Sequence, residues 1–320
     1  MSLLDPRFTF KPFEYPEVLH YIKLVNDSYW THTKVNFDGD RLGFFKLPEY
    51  QRDILKRTAL CISQIEVTVK KFWVNIGEAI PKPEFYSLGV THGESEVRHS
   101  MAYSQLLTFL GLEQEFNNLM KEPVIQNRFA YLSKERGVDP ASLAKNIAIF
   151  AMIIENVSLF SQFLIMLSYK RHLGEIKNLS NIIEWTLREE QIHAASGAYI
   201  FDILMKEYPY INTEAFRNEI YETAKQGLYH EEKVVDYILG GNELPFLSKK
   251  SIMEFLKNRI NLSLKDLGLN PVFDNLDQKL LMDTFWFEEQ FKGTSHKDFF
   301  SGRPVEYGMN NVSFDAESVF

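Results

Sequence analysis

Two short segments of this chain repeat one arrangement of side chains. Glu96-Val97-Arg98-His99 and Glu190-Gln191-Ile192-His193 each set a glutamate three residues ahead of a histidine. On a helix that spacing places carboxylate and imidazole on one face, within reach of the same ion. Two further carboxylates stand among apolar neighbours: Glu66 in LCISQIEVTV, and Glu155 in IAIFAMIIENVSLFSQFLIML. A carboxylate in such company is costly unless something compensates its charge. One Glu from each of two helices, with Glu-x-x-His from each of two others, is the ligand set of a di-iron or di-manganese carboxylate centre. Oxygen and imidazole donors suit those metals, whereas zinc sites usually carry more His or Cys. A lone Glu-x-x-His says little, because helices are rich in Glu. The order Glu66, Glu96-x-x-His99, Glu155, Glu190-x-x-His193, all on predicted helices, is far more specific.

Other titratable residues fit the pattern less well. His92 and Glu94 have no matching partner segment, and His230-Glu231-Glu232 lies on a charged stretch expected to face solvent. His20, His32, His172 and His296 read as ordinary surface or core histidines. Glu189 points about 100° away from Glu190 on a helix, which suits it to orienting a ligand rather than being one.

The elements that must carry these residues are helical. Helices are predicted for Pro16 to about Tyr29, Pro48 to Gly77, and Ser87 to Leu110, with a short one over Glu113–Met120. A polar segment follows, and then Pro140 opens a buried helix to about His172. The next helix, capped by Asn178 or Ser180, extends to Lys206, and two amphipathic helices cover Thr213–Leu239 and Lys249–Leu267. No period-2 strand and no repeat is evident. The expected organisation is one all-α domain over 1–291 and a polar, flexible tail over 292–320. The stretch Ile147–Leu167 is long and apolar enough to span a bilayer, but a carboxylate at mid-bilayer costs about 2.5–3.5 kcal/mol. With a mean hydropathy of −0.22, a helix buried on all sides is the better reading. A net charge of −8 argues against nucleic-acid or anionic-membrane partners. The opening MSLLDPRFTFKPFEYP lacks a signal-peptide pattern, so a cytoplasmic setting is expected. One cysteine, Cys61, excludes a disulfide scaffold and a multi-thiolate metal site.

Tyr103 follows His99 by four residues, so Glu96, His99 and Tyr103 share a face and the phenol should lie beside the metals. Glu66, Glu96-x-x-His99-x-x-x-Tyr103, Glu155 and Glu190-x-x-His193 together resemble the small, radical-generating subunit of class I ribonucleotide reductases. The resemblance runs from Trp30 to the last residue. It implies a ferritin-like helical bundle whose dinuclear metal centre makes a one-electron oxidant from oxygen or a reduced oxygen species. That oxidant passes to a large subunit, where a cysteine thiyl radical starts reduction of ribonucleotides to deoxyribonucleotides. By the same resemblance Trp30 is the buried tryptophan of the transfer path, and Glu189 links it to a metal-bound histidine, here His99. Tyr307 is the redox tyrosine of the tail, and SFDAESVF is the peptide that docks on the large subunit. A homodimer is implied in the same way.

The first ligand departs from the commonest pattern, since Glu66 stands where di-iron enzymes usually carry Asp. Glu there, with Tyr103 retained, resembles the dimanganese group (class Id), in which the cluster itself is thought to hold the oxidant; manganese–iron and di-iron centres stay open. Lys70, one turn after Glu66, could pair with a ligand carboxylate or attract an anionic oxidant. Related dinuclear oxidases, hydrocarbon monooxygenases and ferritin-like storage proteins share the ligand set, but they should lack the set Trp30, Glu189, Tyr307 and terminal peptide. Ribonucleotide reduction needs several cysteines, so a chain with Cys61 alone requires a partner.

Overall fold

Long amphipathic runs bounded by prolines and glycines set the architecture. A computed structural model of the chain describes residues 2–132, 137 and 139–292. It divides into a compact unit, Met1–Thr284, and a second unit from Phe285 onward, in which Phe285–Lys292 is helical. Among the described residues there is no β-strand, only an isolated bridge between Leu244 and Leu247.

The principal helices are α1 (Glu17–Asp27), α2 (Glu49–Val74), α3 (Pro83–Leu110), α4 (Pro123–Leu132), α5 (Pro140–Leu173), α6 (Lys177–Glu207), α7 (Glu214–Leu239) and α8 (Lys249–Asp266). The pair α2/α3 packs along much of its length, and α5 lies against α6, α7, α8 and α2. These two pairs, α2/α3 and α5/α6, enclose the four segments that carry the chemistry. In α5 the apolar window is 94% buried, so it is the bundle's core helix rather than a membrane span.

Local signals explain most of the ends. Pro83 and Pro140 occupy first-turn positions, where the missing N–H costs nothing. Asp139 Oδ1 accepts from the amides of Ala141 and Ser142, both at 3.1 Å. Thr213 and Ser248 cap α7 and α8 in the same way. Gly111 ends α3 at φ +69°, a conformation that glycine adopts without steric cost.

Three features differ from the sequence expectation. First, neither Asn178 nor Ser180 caps α6. The Asp40 carboxylate, 139 positions before its more distant partner, accepts from the amides of Asn178 (3.1 Å) and Leu179 (2.7 Å). Second, the segment after Met120 is not merely polar. It forms α4, whose Arg128 is fully buried and pairs with Glu231 of α7 at 2.9 Å. Glu231 is therefore 2% exposed, not on a solvated face. Third, α5 is not α-helical throughout, because Ala148–Ser158, which contains Glu155, runs in the wider π register.

Candidate metal centre

Glu66 comes from α2, Glu96 and His99 from α3, Glu155 from the π stretch of α5, and Glu190 and His193 from α6; all six are fully buried. Their donor atoms fall into two overlapping groups. Glu66, Glu96, His99 and Glu190 form one, and Glu96, Glu155, Glu190 and His193 the other, with the atoms of each within 4.8 Å of one another. The overlap follows from how two carboxylates are turned. Glu96 sets Oε2 3.5 Å from His99 Nδ1 and Oε1 3.1 Å from His193 Nδ1. Glu190 does the same, with Oε1 3.1 Å from His99 Nδ1 and Oε2 3.1 Å from His193 Nδ1. Glu66 lies 3.5 Å from His99 Nδ1 alone, and Glu155 3.7 Å from His193 Nδ1 alone. The arrangement is two positions, each with a private carboxylate and imidazole, sharing two carboxylates between them.

Hydrogen bonds behind the rings fix which nitrogen faces inward. Ser95 donates to the carbonyl of His92 (2.7 Å), so its oxygen receives the Nε2–H of His193 at 3.0 Å. His99 gives its Nε2–H to Glu189 Oε2 at 2.7 Å. Both rings are thus assigned the tautomer whose Nδ1 lone pair points at the carboxylates. Trp73 donates its indole N–H to Glu155 Oε1 at 2.6 Å.

Several donor atoms in this pocket are left without a hydrogen-bond partner. Both oxygens of Glu66 and of Glu96, Oε2 of Glu155 and Oε1 of Glu190 have no hydrogen-bond partner, nor does His99 Nδ1. Burial pushes the Glu66 carboxyl up to about 8 against the pull of His99, and it holds Glu155 well above the usual range. Burial also opposes ionisation of Glu96, but the imidazoles of His193 and His99 at 3.1 and 3.5 Å overcome it and hold that carboxyl below its ordinary value. For His99 and His193 burial works against protonation, yet the surrounding carboxylates win and raise both. The orphaned oxygens are what two hard cations would satisfy, so the donor set fits a dinuclear centre, and cations entering it displace protons.

On its α1 side the centre continues outward. Glu189 is fully buried, and its Oε2 also accepts from Trp30 Nε1 (3.2 Å) and Arg98 (3.2 Å). Burial would raise the Glu189 carboxyl, but His99 first and then Arg98 hold it below the usual range. The Trp30 ring stacks on His99 with centroids 5.9 Å apart, and the half-buried Trp185 lies 5.3 Å beyond it. Tyr103 is fully buried, with Glu66, Thr186, His99 and Glu190 as its polar surroundings. Its hydroxyl has the Thr186 side chain as its uncharged polar neighbour, and burial followed by the Glu66 charge lifts the phenol well above its ordinary value.

The structure also shows what Lys70 and His92 touch. Lys70 does not pair with a carboxylate; its Nζ donates to the main-chain carbonyl of Glu66 (2.8 Å) and to Ser100. His92 is buried against His193 (4.2 Å between centroids) and bonds Ser196, so burial holds it neutral beside the centre. Tyr307, His296 and the terminal SFDAESVF lie outside the described residues. Sequence reasoning missed Ser95, Arg98 and Trp73, and no local pattern sets a serine or tryptophan that holds a ligand apart from one that packs.

Comparison with known proteins gives a consistent picture. The family profile described as "Ribonucleotide reductase, small chain" matches residues 7–279. "Probable ribonucleoside-diphosphate reductase small subunit 048L" of Invertebrate iridescent virus 3 is 25% identical, over 98% of this chain and 88% of its own length. The ribonucleoside-diphosphate reductase subunit beta of Treponema pallidum is 21% identical, covering 96% and 89%. Among solved structures, the ribonucleotide reductase R2 subunit from Clostridium botulinum superposes with a TM-score of 0.78 at 18% identity, over 90% of this chain and 93% of that one. Dimanganese(II)-NrdF of Streptococcus sanguinis gives 0.73 at 16%, over 88% and 99%. At those identities the structural matches speak for the fold alone.

Proposed function

Because this chain belongs to the ribonucleotide reductase small-chain family, we propose that it is the radical-generating subunit of a class I ribonucleoside-diphosphate reductase. When bound, two redox-active metals supply a one-electron oxidant. Glu66 and His99 would hold one ion, Glu155 and His193 the other, and Glu96 and Glu190 both. The observation that carries this reading is the unbroken contact from the centre outward: His99 to Glu189 to Trp30, through hydrogen bonds of 2.7 and 3.2 Å. An indole can lose an electron at accessible potential, and the carboxylate on its N–H can share the proton.

Reduction of the nucleotide belongs on a partner. Cys61, the chain's single cysteine, is fully buried and its thiol is pushed up to about 12, chiefly by desolvation. It can neither reach a substrate nor ionise to a reactive thiolate. The large subunit is that partner, and residues 292–320, with Tyr307 and the acidic-aromatic end, are the docking tail beyond a 1–291 domain. Deleting residues 311–320 is expected to weaken subunit association by about tenfold or more, roughly 1.4 kcal/mol, with metal content unchanged. Turnover titrated against the large subunit reads this, and full activity at low subunit concentration would refute the docking role. A homodimer is the matching assembly. Its support within this chain is the exposed apolar row Tyr86, Val90, Val97 and Met101 along α3, beside Val67 and Val74 of α2. A cytoplasmic setting is the corresponding location.

For the metals, a dimanganese centre is the reading we favour. It rests on Glu66 as first ligand and on the cation of Lys70 bound at the Glu66 main chain, with manganese–iron and di-iron as alternatives. Tyr103 is then a neighbour of the centre and not the place where the oxidant is kept. Its lack of any hydrogen-bonded base supports this, since a phenol that loses an electron must also pass on its proton. Tyr103→Phe removes one hydroxyl from a buried ring and changes packing little. We expect most of the turnover to survive, with both metals bound. A collapse of turnover at normal metal content would move storage to Tyr103, and electron paramagnetic resonance would then show a tyrosyl signal in the unaltered protein.

A further inference from the structure

The π stretch that carries Glu155 is held at both ends by contacts that no metal ligand makes. Near its start, α6 passes so close that a Cβ on Gly197 would lie 2.2 Å from Ala151 Cβ. At its end Ser158 gives its carbonyl to Arg128 (2.9 Å), which Glu231 fixes in place. Between these, the residue after Glu155 is gripped from outside the bundle. The carbonyl of Asn156 accepts from Arg259 Nε (3.1 Å) and from a terminal nitrogen of the same guanidinium (3.0 Å). That nitrogen also reaches the Asn156 side-chain oxygen, while the Asn156 amide donates to Ser263 at 2.9 Å. Arg259 and Ser263 sit four residues apart on one face of α8. Arg259 is 6% exposed and lies 3.9 Å above the ring of Phe160.

Three hydrogen bonds of Arg259 converge on one residue, at the main-chain carbonyl and the side-chain oxygen of Asn156. A π register is seldom sustained by its own hydrogen bonds and marks places where side-chain direction matters. Slipping to the α register would turn Asn156 away from α8 and, with it, turn Glu155 away from His193. The geometry points to Arg259 as a positioning residue that, by pinning Asn156, fixes the register of the π stretch and holds Glu155 at the second metal position. This deepens the proposed function and rests on Glu155 serving as a ligand there.

The test is manganese(II) titration of the full-length protein, followed by calorimetry, with hydrogen exchange of the metal-free form read over 148–158. Arg259→Met keeps length and apolar stem but removes every donor. It should bind the first ion as the unaltered protein does and the second about tenfold more weakly or worse, the range seen when an outer partner of a ligand is lost. Exchange over 148–158 should accelerate. Arg259→Lys, with one donor still able to reach the carbonyl, should recover part of both effects. Ser263→Ala, which removes only the side-chain anchor of Asn156, should shift the second ion in the same direction by less, and it carries the test if Arg259→Met does not fold. Phe255→Leu is the control, since it loosens the core face of α8 one turn before Arg259 and leaves the donors of Arg259 and Ser263 in place; it should lower the melting temperature and leave both ions bound normally. Unaltered binding of both ions in Arg259→Met or Ser263→Ala, or equal loss of the second ion in Phe255→Leu, overturns the inference. An unaltered protein that takes up fewer than two ions overturns the metal-site reading and this inference with it, whereas two ions bound there and the same affinity for both in Arg259→Met overturn this inference alone.

Discussion

Glu155→Ala is expected to hold one metal ion per chain where the unaltered protein holds two. The second position would keep only His193 and its share of Glu96 and Glu190, and both of those carboxylates are also claimed by the first position. Losing an outer partner of a ligand typically weakens metal binding about 10–100-fold, and losing the only private carboxylate should exceed that. The fold should survive. Glu155 is an acid held protonated by burial in the metal-free pocket, so its removal takes away a group that is costly there. Against this, the Trp73 N–H loses its partner, at about 1–3 kcal/mol for an unsatisfied buried donor. Metal quantification per chain, with helicity from circular dichroism, reads the outcome. Two ions bound at near-normal affinity would remove Glu155 from the ligand set.

Trp30→Phe should separate the metal centre from turnover. Phenylalanine fills nearly the same space against His99 and Trp185, but it has no N–H for Glu189 and is much harder to oxidise. Both ions should bind as before, because Glu189 keeps His99 and Arg98 as partners. Turnover with the large subunit should fall by about 100-fold or more, equivalent to adding about 2.7 kcal/mol to the limiting barrier. Multiple-turnover assays beside metal analysis distinguish this from misassembly. A variant that turns over normally would show that the oxidant leaves the centre by another route.

The donor set was legible because helical periodicity is local. Glu96 and His99 lie one turn apart in any α-helix, and Glu66 and Glu155 draw attention because their apolar neighbours predict burial. The sequence signals failed where a distant segment decides. A charged run such as His230-Glu231-Glu232 reads the same whether water or another helix covers it, and Arg128, 103 residues before Glu231, is what covers it. Asn178 and Ser180 are good capping residues by type, yet Asp40 performs the task from another part of the chain. The π register of Ala148–Ser158 leaves no trace in composition, and the contacts that meet it come from other helices, α6, α4 and α8. Trp73 passes for core until its N–H is seen on Glu155. Lys70 shares the helical face of Glu66 as the spacing requires, but its ammonium bonds the main chain and Ser100.

The chain order of the six candidate ligands carries a consequence for biosynthesis. Glu66, Glu96 and His99 are translated as a group well before Glu155, Glu190 and His193, and α6 is capped by a residue made earlier than any of them. At about 5–20 residues per second, roughly 5–20 s separate the appearance of His99 from that of His193 on the ribosome. For more than half of that interval only two carboxylates and one imidazole of the six have been made, with Glu155, Glu190 and His193 still to come. Such a partial donor set has no geometry with which to depart from the Irving–Williams order. Only when α6 docks do Glu190 and His193 close the cage and geometry begin to discriminate. The closed cage is thus built from donors of both halves of the chain, and selection of an ion by geometry belongs to the folded protein rather than to any segment made before Glu190.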